Sequence, residues 1–358
     1  MGVFDAEEFD DHEQVVFGRD AEAALVAIVA IHDTSLGPAL GGCRMWPYAS
    51  EREALADVLR LSKAMTYKHA LAGTAQGGGK AVIIADPKRD KSPALWHALG
   101  RLVDGLSGRY IVAEDVGTSV EDMALVHEAT PHVAGIADGG SGDPSPMTAW
   151  GVFCGIKAAV HHKLGRDDLA GLRVAVQGLG HVGHALCGYL HDAGARLLVS
   201  DIDEAAVENA IADFGAEAVA PEQVHAVEAE VFAPCALGGV LNETTIPEIK
   251  APIVAGTANN QLSCAADGEA LAARGVLYAP DYAINAGGVV NISFERDGYE
   301  AEKAMARTAK IYDTLTAIFE RADAEGVATN LVADRMARER IEKARAKSRE
   351  TNPAVKRG

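Results

Sequence analysis

Residues 172–183 read LRVAVQGLGHVG, a short apolar run followed directly by a glycine-rich turn. The run LRVAVQ predicts a buried strand, and the residues after the turn predict a helix through about Asp192. A second strand, RLLVSD, is predicted to end at Asp201 and to be followed by a helix over residues 204–214. Further short strands are predicted at VFAPCA, PIVAG and VLYAP. Because strands alternate with helices, we expect an α/β protein with a parallel, doubly wound sheet.

The glycines of the turn match the pattern G-x-G-x-x-G at Gly178, Gly180 and Gly183. In this pattern the first glycine permits a tight turn, the second lets a pyrophosphate approach the backbone, and the third lets the helix pack against the strand. The free N–H groups at the start of the helix then face the phosphates. We therefore predict a Rossmann-type dinucleotide site formed by the loop residues Gly178, Leu179, Gly180, His181, Val182 and Gly183. A turn that serves packing alone is the alternative.

The aspartate that ends the second strand, Asp201, lies 23 positions after Gly178. A carboxylate at about this distance can bond the ribose 2′-hydroxyl of a dinucleotide and repels a 2′-phosphate. The residues that follow, Ile202, Asp203 and Glu204, offer no basic partner for such a phosphate. We therefore expect the cofactor to be NAD rather than NADP. An ordinary strand-end aspartate is the alternative for Asp201.

The first half of the chain predicts a different series of elements. Residues 15–31 predict strands around a turn, and residues 51–66 predict a helix because apolar residues recur at helical spacing. A glycine-rich loop is predicted at Gly77-Gly78-Gly79-Lys80, before an apolar strand AVIIAD. Another short strand, RYIVAED, is predicted to end at Asp115.

The length of 358 residues predicts two domains, since a single core rarely exceeds about 250–300 residues. The stretch GGSGDPSP, residues 139–146, predicts a boundary or hinge. Two long helices are predicted near the end, over residues 301–325 and 334–349. The last is expected to pack back on the first domain, with a solvated surface helix as the alternative. The predicted segments are residues 1–140, 146–325 and 326–358.

Composition excludes several classes of protein. The formal net charge of −18 argues against a nucleic-acid partner, whose phosphates such a surface would repel. The five cysteines form no C-x-x-C pair, so neither a disulfide framework nor a zinc site is expected, and no other metal site is predicted. The acidic start is not typical of a signal peptide, and no apolar run approaches the roughly 20 residues of a membrane span. We expect a cytoplasmic protein with no membrane partner.

A second group of chemically useful residues lies in the first half, at Lys68, Lys80 and Asp115, with glycines nearby. A lysine that follows three glycines and precedes an apolar strand is expected to be partly desolvated. Desolvation favours a neutral amine, which can act as a base. Lys68 could hold a carboxylate as a point charge, and Asp115 could exchange protons with Lys80 or a substrate amine. The more common interpretation of either lysine is a surface charge.

These motifs occur together and in order from about residue 12 to 349. They read GPALGGCRMWPY, MTYKHALAG, GGGKAVIIADP, GRYIVAEDVGTS, GDPSPMTAWGV, VQGLGHVG, APCALGG, AGTANNQL and APDYAINAGGVVN. The set resembles the glutamate, leucine, phenylalanine and valine dehydrogenase family. The resemblance implies an N-terminal α/β substrate and catalytic domain, a Rossmann-type NAD domain, and a cleft between them that closes over both ligands.

The family's residue roles can be transferred where the motifs match. The resemblance implies that Lys68 holds the substrate carboxylate, helped by the backbone at Gly41 and Gly42. Lys80 is then the catalytic base that activates the water attacking the imine, and Asp115 moves protons to and from the nitrogen. The resemblance also places Thr148 and Asn259 near the nicotinamide and Asn260 near the substrate amine. The apolar residues that it places around the substrate side chain are Leu40, Met65, Ala113, Val289 and Ile292.

The implied reaction is the reversible, NAD-dependent oxidative deamination of an aliphatic L-amino acid such as leucine, isoleucine or valine to its 2-oxo acid and ammonia. The pocket lacks the cation that a glutamate side chain would need. Phe294 follows the pocket segment and could narrow it. Two alternatives stay open: a phenylalanine or valine dehydrogenase of the same family, and a catalytically silent NAD-binding regulator. We expect a homo-oligomer.

Overall fold

The computed structural model describes residues 2–136, 141–295 and 298–351. The chain divides into two compact units, of which the first contains residues 1–143, 292–299 and 337–358. The second unit contains residues 144–291 and 300–336. The predicted hinge over residues 139–146 begins with two residues that lie outside the described part of the chain. The division itself falls between Asp143 and Pro144.

The first unit is built on a five-stranded sheet in the order β1-β2-β4-β3-β5. Its strands are β1 (Gln14–Asp20), β2 (Leu25–Asp33), β3 (Ala39–Trp46), β4 (Gly77–Ile84) and β5 (Tyr110–Glu114). Strand β3 pairs in parallel with β4 on one side and with β5 on the other. Its helices are α1 (Glu51–Ala72), α2 (Pro93–Asp104) and α3 (Val120–His127). The strands predicted around a turn and the strand at RYIVAE are thus confirmed.

The glycine triplet lies in a strand, so the predicted loop at residues 77–80 is wrong. Gly77, Gly78 and Gly79 open β4 and are buried. A Cβ on Gly78 would lie 2.1 Å from the backbone nitrogen of Thr66, and one on Gly79 would lie 2.7 Å from the ring of Tyr110. The glycines are therefore required because helix α1 and β5 approach the strand closely, and the extended backbone itself needs no special conformation.

Helix α1 extends further than the predicted residues 51–66, through Ala72. Ser50 caps its start by accepting a hydrogen bond from the backbone N–H of Glu53. Gly73 ends it in the left-handed conformation at φ 70°. Because the helix continues for six residues beyond Thr66, Lys68 projects from a regular helix rather than from a loop.

The second unit contains a six-stranded sheet in the order β11-β10-β9-β6-β7-β8, in which every pair is parallel. Its strands are β6 (Arg173–Gln177), β7 (Arg196–Ser200), β8 (Glu217–Ala218), β9 (Val231–Pro234), β10 (Ile253–Val254) and β11 (Leu277–Tyr278). Its helices include α4 (Ser145–Leu164), α5 (His181–Asp192), α6 (Glu204–Phe214), α7 (Ala265–Ala273) and α8 (Asp281–Ile284). Strand order reverses at β6, which confirms the doubly wound sheet.

The remaining helices are α9 (Gly287–Ser293), α10 (Ala301–Thr308), α11 (Ile311–Glu325) and α12 (Thr329–Thr351). The single helix predicted over residues 301–325 is therefore two. The break arises because the N–H of Lys310 bonds to the carbonyl of Arg307 and that of Tyr312 bonds to Ala309, which tightens the turn to three-residue spacing. From Ala337 onward α12 belongs to the first unit. No helix among the described residues is long and apolar enough to cross a membrane.

We predict that Gly79→Ala destabilises the first unit. The Tyr110 ring cannot retreat from the added methyl group, because it is fully buried and its hydroxyl donates to the Gly41 carbonyl at 2.7 Å. Overpacking of this kind costs about 1–3 kcal/mol. The thermal unfolding midpoint should fall accordingly. The matched control is Gly105→Ala, where φ is −60° and the nearest atom to a Cβ is 3.4 Å away, so the midpoint should not fall.

Candidate active site

The first unit holds a largely buried ion pair on its sheet. Lys80 on β4 lies with its Nζ 3.1 Å from Oδ1 of Asp115, the residue after β5. The Lys80 side chain is only 6% exposed. Strand β3 separates these two strands and carries Gly41 and Gly42 at this level. A Cβ on Gly42 would lie 2.7 Å from the Asp115 Cβ, and one on Gly41 would lie 1.8 Å from the Gly79 carbonyl oxygen. The two glycines therefore let the charged groups meet across the strand.

A second cation, Arg44 on β3, holds the other oxygen of the aspartate. Its Nε donates to Asp115 Oδ2 at 3.1 Å, and its Nη1 donates to Asp57 Oδ2 at 2.9 Å. The Tyr48 hydroxyl donates to the same Asp57 oxygen at 2.7 Å. Burial raises the pKa of Asp115, but the charges of Lys80 and Arg44 outweigh that effect and leave the pKa below its usual value. Asp115 is therefore an ionised carboxylate at neutral pH.

Arg44 was not singled out from the sequence as a site residue. The signal that could have found it is its position two residues after Gly42, since alternate residues of a strand share a face. An arginine on an otherwise apolar central strand needs a carboxylate partner, and both partners here are distant in sequence. Arg44 thus connects the pair to Asp57 on helix α1.

Lys68 projects from α1 and is partly buried. The neighbouring His69 is fully buried, with its Nδ1 2.8 Å from the Thr74 hydroxyl. Burial, reinforced by the positive charge of Lys68, lowers the pKa of His69 to about 3, so the imidazole is neutral. Burial likewise raises the pKa of Cys43 far above its usual value, which makes this thiol inert as a nucleophile.

An apolar cluster lies in the first unit beside these groups. Its buried members are Leu40, Ala113, Ala134 and Ile292, with the partly buried Ile111 packed against them. Leu40, Ala113 and Ile292, three of the residues predicted to surround the substrate side chain, are thus brought together. Ala134 and Ile111 were missed, because a small and a β-branched apolar residue give no functional signal. Met65 approaches Gly41, since a Cβ there would lie 3.3 Å from its Cγ. Val289 belongs to the second unit.

In the second unit, the three glycines of the turn at the end of β6 differ in what they require. Gly178 has φ +102°, which favours glycine, and a Cβ on Gly183 would lie 2.0 Å from the Gly178 carbonyl oxygen. Gly180 has φ −62°, and a Cβ there would meet no atom within 4 Å. Neither backbone conformation nor packing therefore explains Gly180. An open space at the uncapped start of α5 fits the pyrophosphate of a dinucleotide.

Asp201, directly after β7, is held in a fixed orientation. Its Oδ2 accepts a hydrogen bond from the Leu179 backbone N–H at 2.6 Å, and its Oδ1 accepts one from Asp203 at 2.9 Å. The carboxylate is thus tied to the glycine turn and remains partly exposed. His181, the first residue of α5, is exposed, whereas Leu179 is buried.

Two further polar groups are oriented by their neighbours. Thr148, in the first turn of α4, donates its hydroxyl to the Pro144 carbonyl at 3.0 Å. The side-chain nitrogen of Asn285 donates to Asn259 Oδ1 at 2.8 Å and to the Thr257 carbonyl at 3.0 Å. Because the oxygen of the Asn259 amide accepts this bond, its NH2 group is presented elsewhere. Asn260 is exposed and has φ +52°.

Two large apolar side chains are unusually exposed near the carboxyl ends of the strands. Ile202, directly after Asp201, is 91% exposed, and Leu237, just after β9, is 83% exposed. The position of Ile202 directly after the strand-end aspartate is the local signal that could have identified it. Among the described residues, no group of three or more His, Cys, Asp and Glu side chains is arranged to hold a metal ion.

Two family models match nearly the whole chain. The model described as Glu/Leu/Phe/Val dehydrogenase, dimerisation domain, matches residues 12–132. The model described as Glutamate/Leucine/Phenylalanine/Valine dehydrogenase matches residues 139–207 and 200–348. The chain belongs to this dehydrogenase family.

Relatives within the family differ in substrate. The leucine dehydrogenase of Thermoactinomyces intermedius is 53% identical over 98% of this chain and 96% of that protein. The crystal structure of L-tryptophan dehydrogenase from Nostoc punctiforme matches with a TM-score of 0.83 at 47% identity, covering 94% of this chain and 97% of that one. The crystal structure of hetero-hexameric glutamate dehydrogenase from Thermus thermophilus matches with a TM-score of 0.75 at 26% identity. The match covers 93% of this chain and 89% of that one.

These relationships make the chain an amino-acid dehydrogenase that depends on a pyridine nucleotide. The alternative of a catalytically silent regulator is therefore set aside. The first unit contains the Lys80–Asp115 pair and the apolar cluster, and the second contains the glycine turn and Asp201.

We predict that Gly180→Ala weakens binding of the reduced pyridine nucleotide while leaving thermal stability unchanged. The fold has room for the added methyl group, but a bound pyrophosphate does not. The Kd for the reduced pyridine nucleotide, measured by fluorescence titration, should rise about tenfold or more. A tenfold rise corresponds to a loss of about 1.4 kcal/mol in binding free energy. Gly188→Ala on the same helix is the matched control, because its Cβ would make only ordinary contact with Phe214. Unchanged affinity in Gly180→Ala would place the phosphates elsewhere.

Proposed function

We propose that the protein catalyses the reversible oxidative deamination of branched-chain aliphatic L-amino acids, with NAD as the cofactor. The substrates are leucine, isoleucine and valine, and the products are the 2-oxo acid and ammonia. The observation that carries the proposal is the buried pair of Lys80 and Asp115 next to an apolar cluster without a charged member. The first group supplies proton chemistry, and the second selects an aliphatic side chain.

The choice of NAD rests on Asp201. Its carboxylate is fixed by two backbone N–H groups and would repel a 2′-phosphate while accepting a bond from a ribose hydroxyl. The exposed Ile202 and Leu237 offer apolar contacts for an adenine ring. Thr148 and Asn259 would hold the nicotinamide carboxamide, which needs both a donor and an acceptor. When bound, NAD accepts the two electrons and the hydrogen that leave the substrate α-carbon.

The residues of the first unit divide the remaining work. Lys68 would pair with the substrate carboxylate, with help from backbone N–H groups at Gly41 and Gly42. Lys80, which is charged while it pairs with Asp115, would first pass its proton to that carboxylate and would then act as the general base that takes a proton from the attacking water. Asp115 would carry protons to and from the substrate nitrogen. Its two oxygens contact Lys80 and Arg44, so it is held in one orientation for this transfer.

The apolar cluster disfavours two other substrate classes. A glutamate side chain would be buried there without a cation, which is energetically costly. An aromatic side chain is opposed by volume alone, through Leu40 and Ile292. The relative from Nostoc punctiforme is named a tryptophan dehydrogenase, so an aromatic substrate, as in the phenylalanine dehydrogenase alternative, is the second candidate.

The oligomeric state and the cellular location are proposed from the family and the cysteines. The first family model is named for dimerisation, and the related glutamate dehydrogenase is described as a hetero-hexamer. We propose that this chain forms a homo-oligomer. All five cysteines are free thiols, which agrees with a reducing compartment, and we propose a cytoplasmic location.

The substrate proposal predicts a pattern across five amino acids. Leucine, isoleucine and valine should react with modest differences, because one methylene changes apolar binding by about 1–3 kcal/mol. Phenylalanine and glutamate should be poor substrates, and kcat/KM should be much lower with NADP than with NAD. The measurement is kcat/KM from NADH or NADPH formation for each pair of substrate and cofactor. If kcat/KM for phenylalanine equals or exceeds that for leucine, the aromatic substrate class replaces the aliphatic one in the proposal.

The base assignment predicts that Lys80→Ala loses about 10²–10⁴-fold in kcat while NADH binding is kept. Removing one member of a buried pair can also destabilise the fold, so Lys80→Gln is a second variant. Its amide can still donate to Asp115 but has no basic nitrogen. Lys88→Ala, at an exposed lysine of the same unit, should keep wild-type activity. A folded Lys80 variant with more than half of wild-type kcat contradicts the assignment.

A further inference from the structure

Glu295, two residues after the end of helix α9, makes two hydrogen bonds to backbone that is distant in sequence. Glu295 Oε2 accepts from the Gly135 N–H at 2.9 Å, and its Oε1 accepts from the Ser141 N–H at 2.7 Å. All three residues belong to the first unit. Glu295 therefore uses both carboxylate oxygens to hold one segment of backbone.

Both ends of this connection lead to the apolar cluster. Gly135 follows Ala134, which is 5% exposed, and Ile292 lies three residues before Glu295 and is 8% exposed. A Cβ on Gly135 would lie 3.8 Å from the Cδ1 of Ile292, so the two segments are in direct contact. The hydrogen bond from the Gly135 N–H to Glu295 therefore helps to determine the distance between Ala134 and Ile292.

The other side of the segment is held by the sheet. The Ala134 N–H donates to the Val112 carbonyl on β5 at 2.8 Å. Val112 precedes Ala113, another member of the cluster. Ala134 is consequently fixed from β5 by its own N–H and from α9 through Glu295. Of the two attachments, the one through Glu295 depends on a side chain and can be altered by mutation.

We propose that Glu295 is a positioning residue for substrate specificity. It holds Ala134 and Gly135 against Ile292 and so fixes the volume available to the substrate side chain. The inference rests on the proposed function, in which the apolar cluster receives that side chain. Glu295 contacts no reacting atom in this proposal, and it acts through the residues whose separation it sets.

The chemistry requires a carboxylate. An ionised glutamate is an acceptor at both oxygens, which matches two N–H donors. A glutamine has one accepting oxygen, and its NH2 group would face the second donor. Glu295→Gln has almost the same shape but can keep only one of the two bonds. The segment should then be held less firmly, and the cluster should discriminate less by size.

The test compares wild type with Glu295→Gln in the full chain, using leucine, valine and phenylalanine with NAD. We expect the ratio of kcat/KM for leucine over phenylalanine to fall at least about fivefold, chiefly through KM. The kcat for leucine and the KM for NAD should stay within about twofold. A merely structural role would lower activity on all three substrates equally. Glu302→Gln, at an exposed glutamate, is the matched control and should keep wild-type ratios.

The outcomes separate this inference from the function on which it rests. A folded Glu295→Gln with wild-type selectivity overturns the positioning role and leaves the proposed function intact. A wild-type enzyme that does not use aliphatic amino acids overturns both. Should Glu295→Gln not fold, Glu295→Asp is measured instead, because its shorter side chain can reach only one of the donors. The same loss of selectivity is expected, and unchanged selectivity again contradicts the proposal.

Discussion

The ion pair between Lys80 and Asp115 depends on how closely three strands approach one another. Glycines on β3 and β4 remove the side chains that would otherwise separate the two charges. Burial makes each charge costly by itself, so Lys80, Arg44 and Asp115 stabilise one another and fix a single arrangement. The meeting of Lys80 and Asp115 therefore depends on close packing of the backbone.

In the second unit, the candidate cofactor site is built largely from main-chain groups. The start of α5 presents unpaired N–H donors, and two other N–H groups orient the carboxylate of Asp201. Arg44 and Asn285 have a comparable role, since each orients a residue expected to meet a ligand. In both units, a residue that we propose contacts a ligand is held by a second polar group that the pattern of the sequence did not identify.

The sequence predicted those elements whose signals are local. Helix α6 and five of the six strands of the second sheet follow from apolar runs and strand–turn–helix order, whereas the two-residue β8 was not predicted; the doubly wound sheet is confirmed. The triplet at residues 77–79 was misread as a loop, because the contacts with Thr66 and Tyr110 that explain these glycines are not visible in a linear pattern. Arg44 and Glu295 were missed for the same reason. Their partners lie 71, 160 and 154 positions away.

The position of helix α12 in the chain affects the order in which the two units fold during synthesis. Its Arg345 binds Asp33, a carboxylate that is fully buried and 312 positions earlier in the chain. Segments 292–299 and 337–358 also belong to the first unit. On the ribosome, where chains emerge from the N-terminus, the first unit consequently cannot finish folding until helix α12 has emerged. The second unit, whose segments end at Met336, is expected to fold before it.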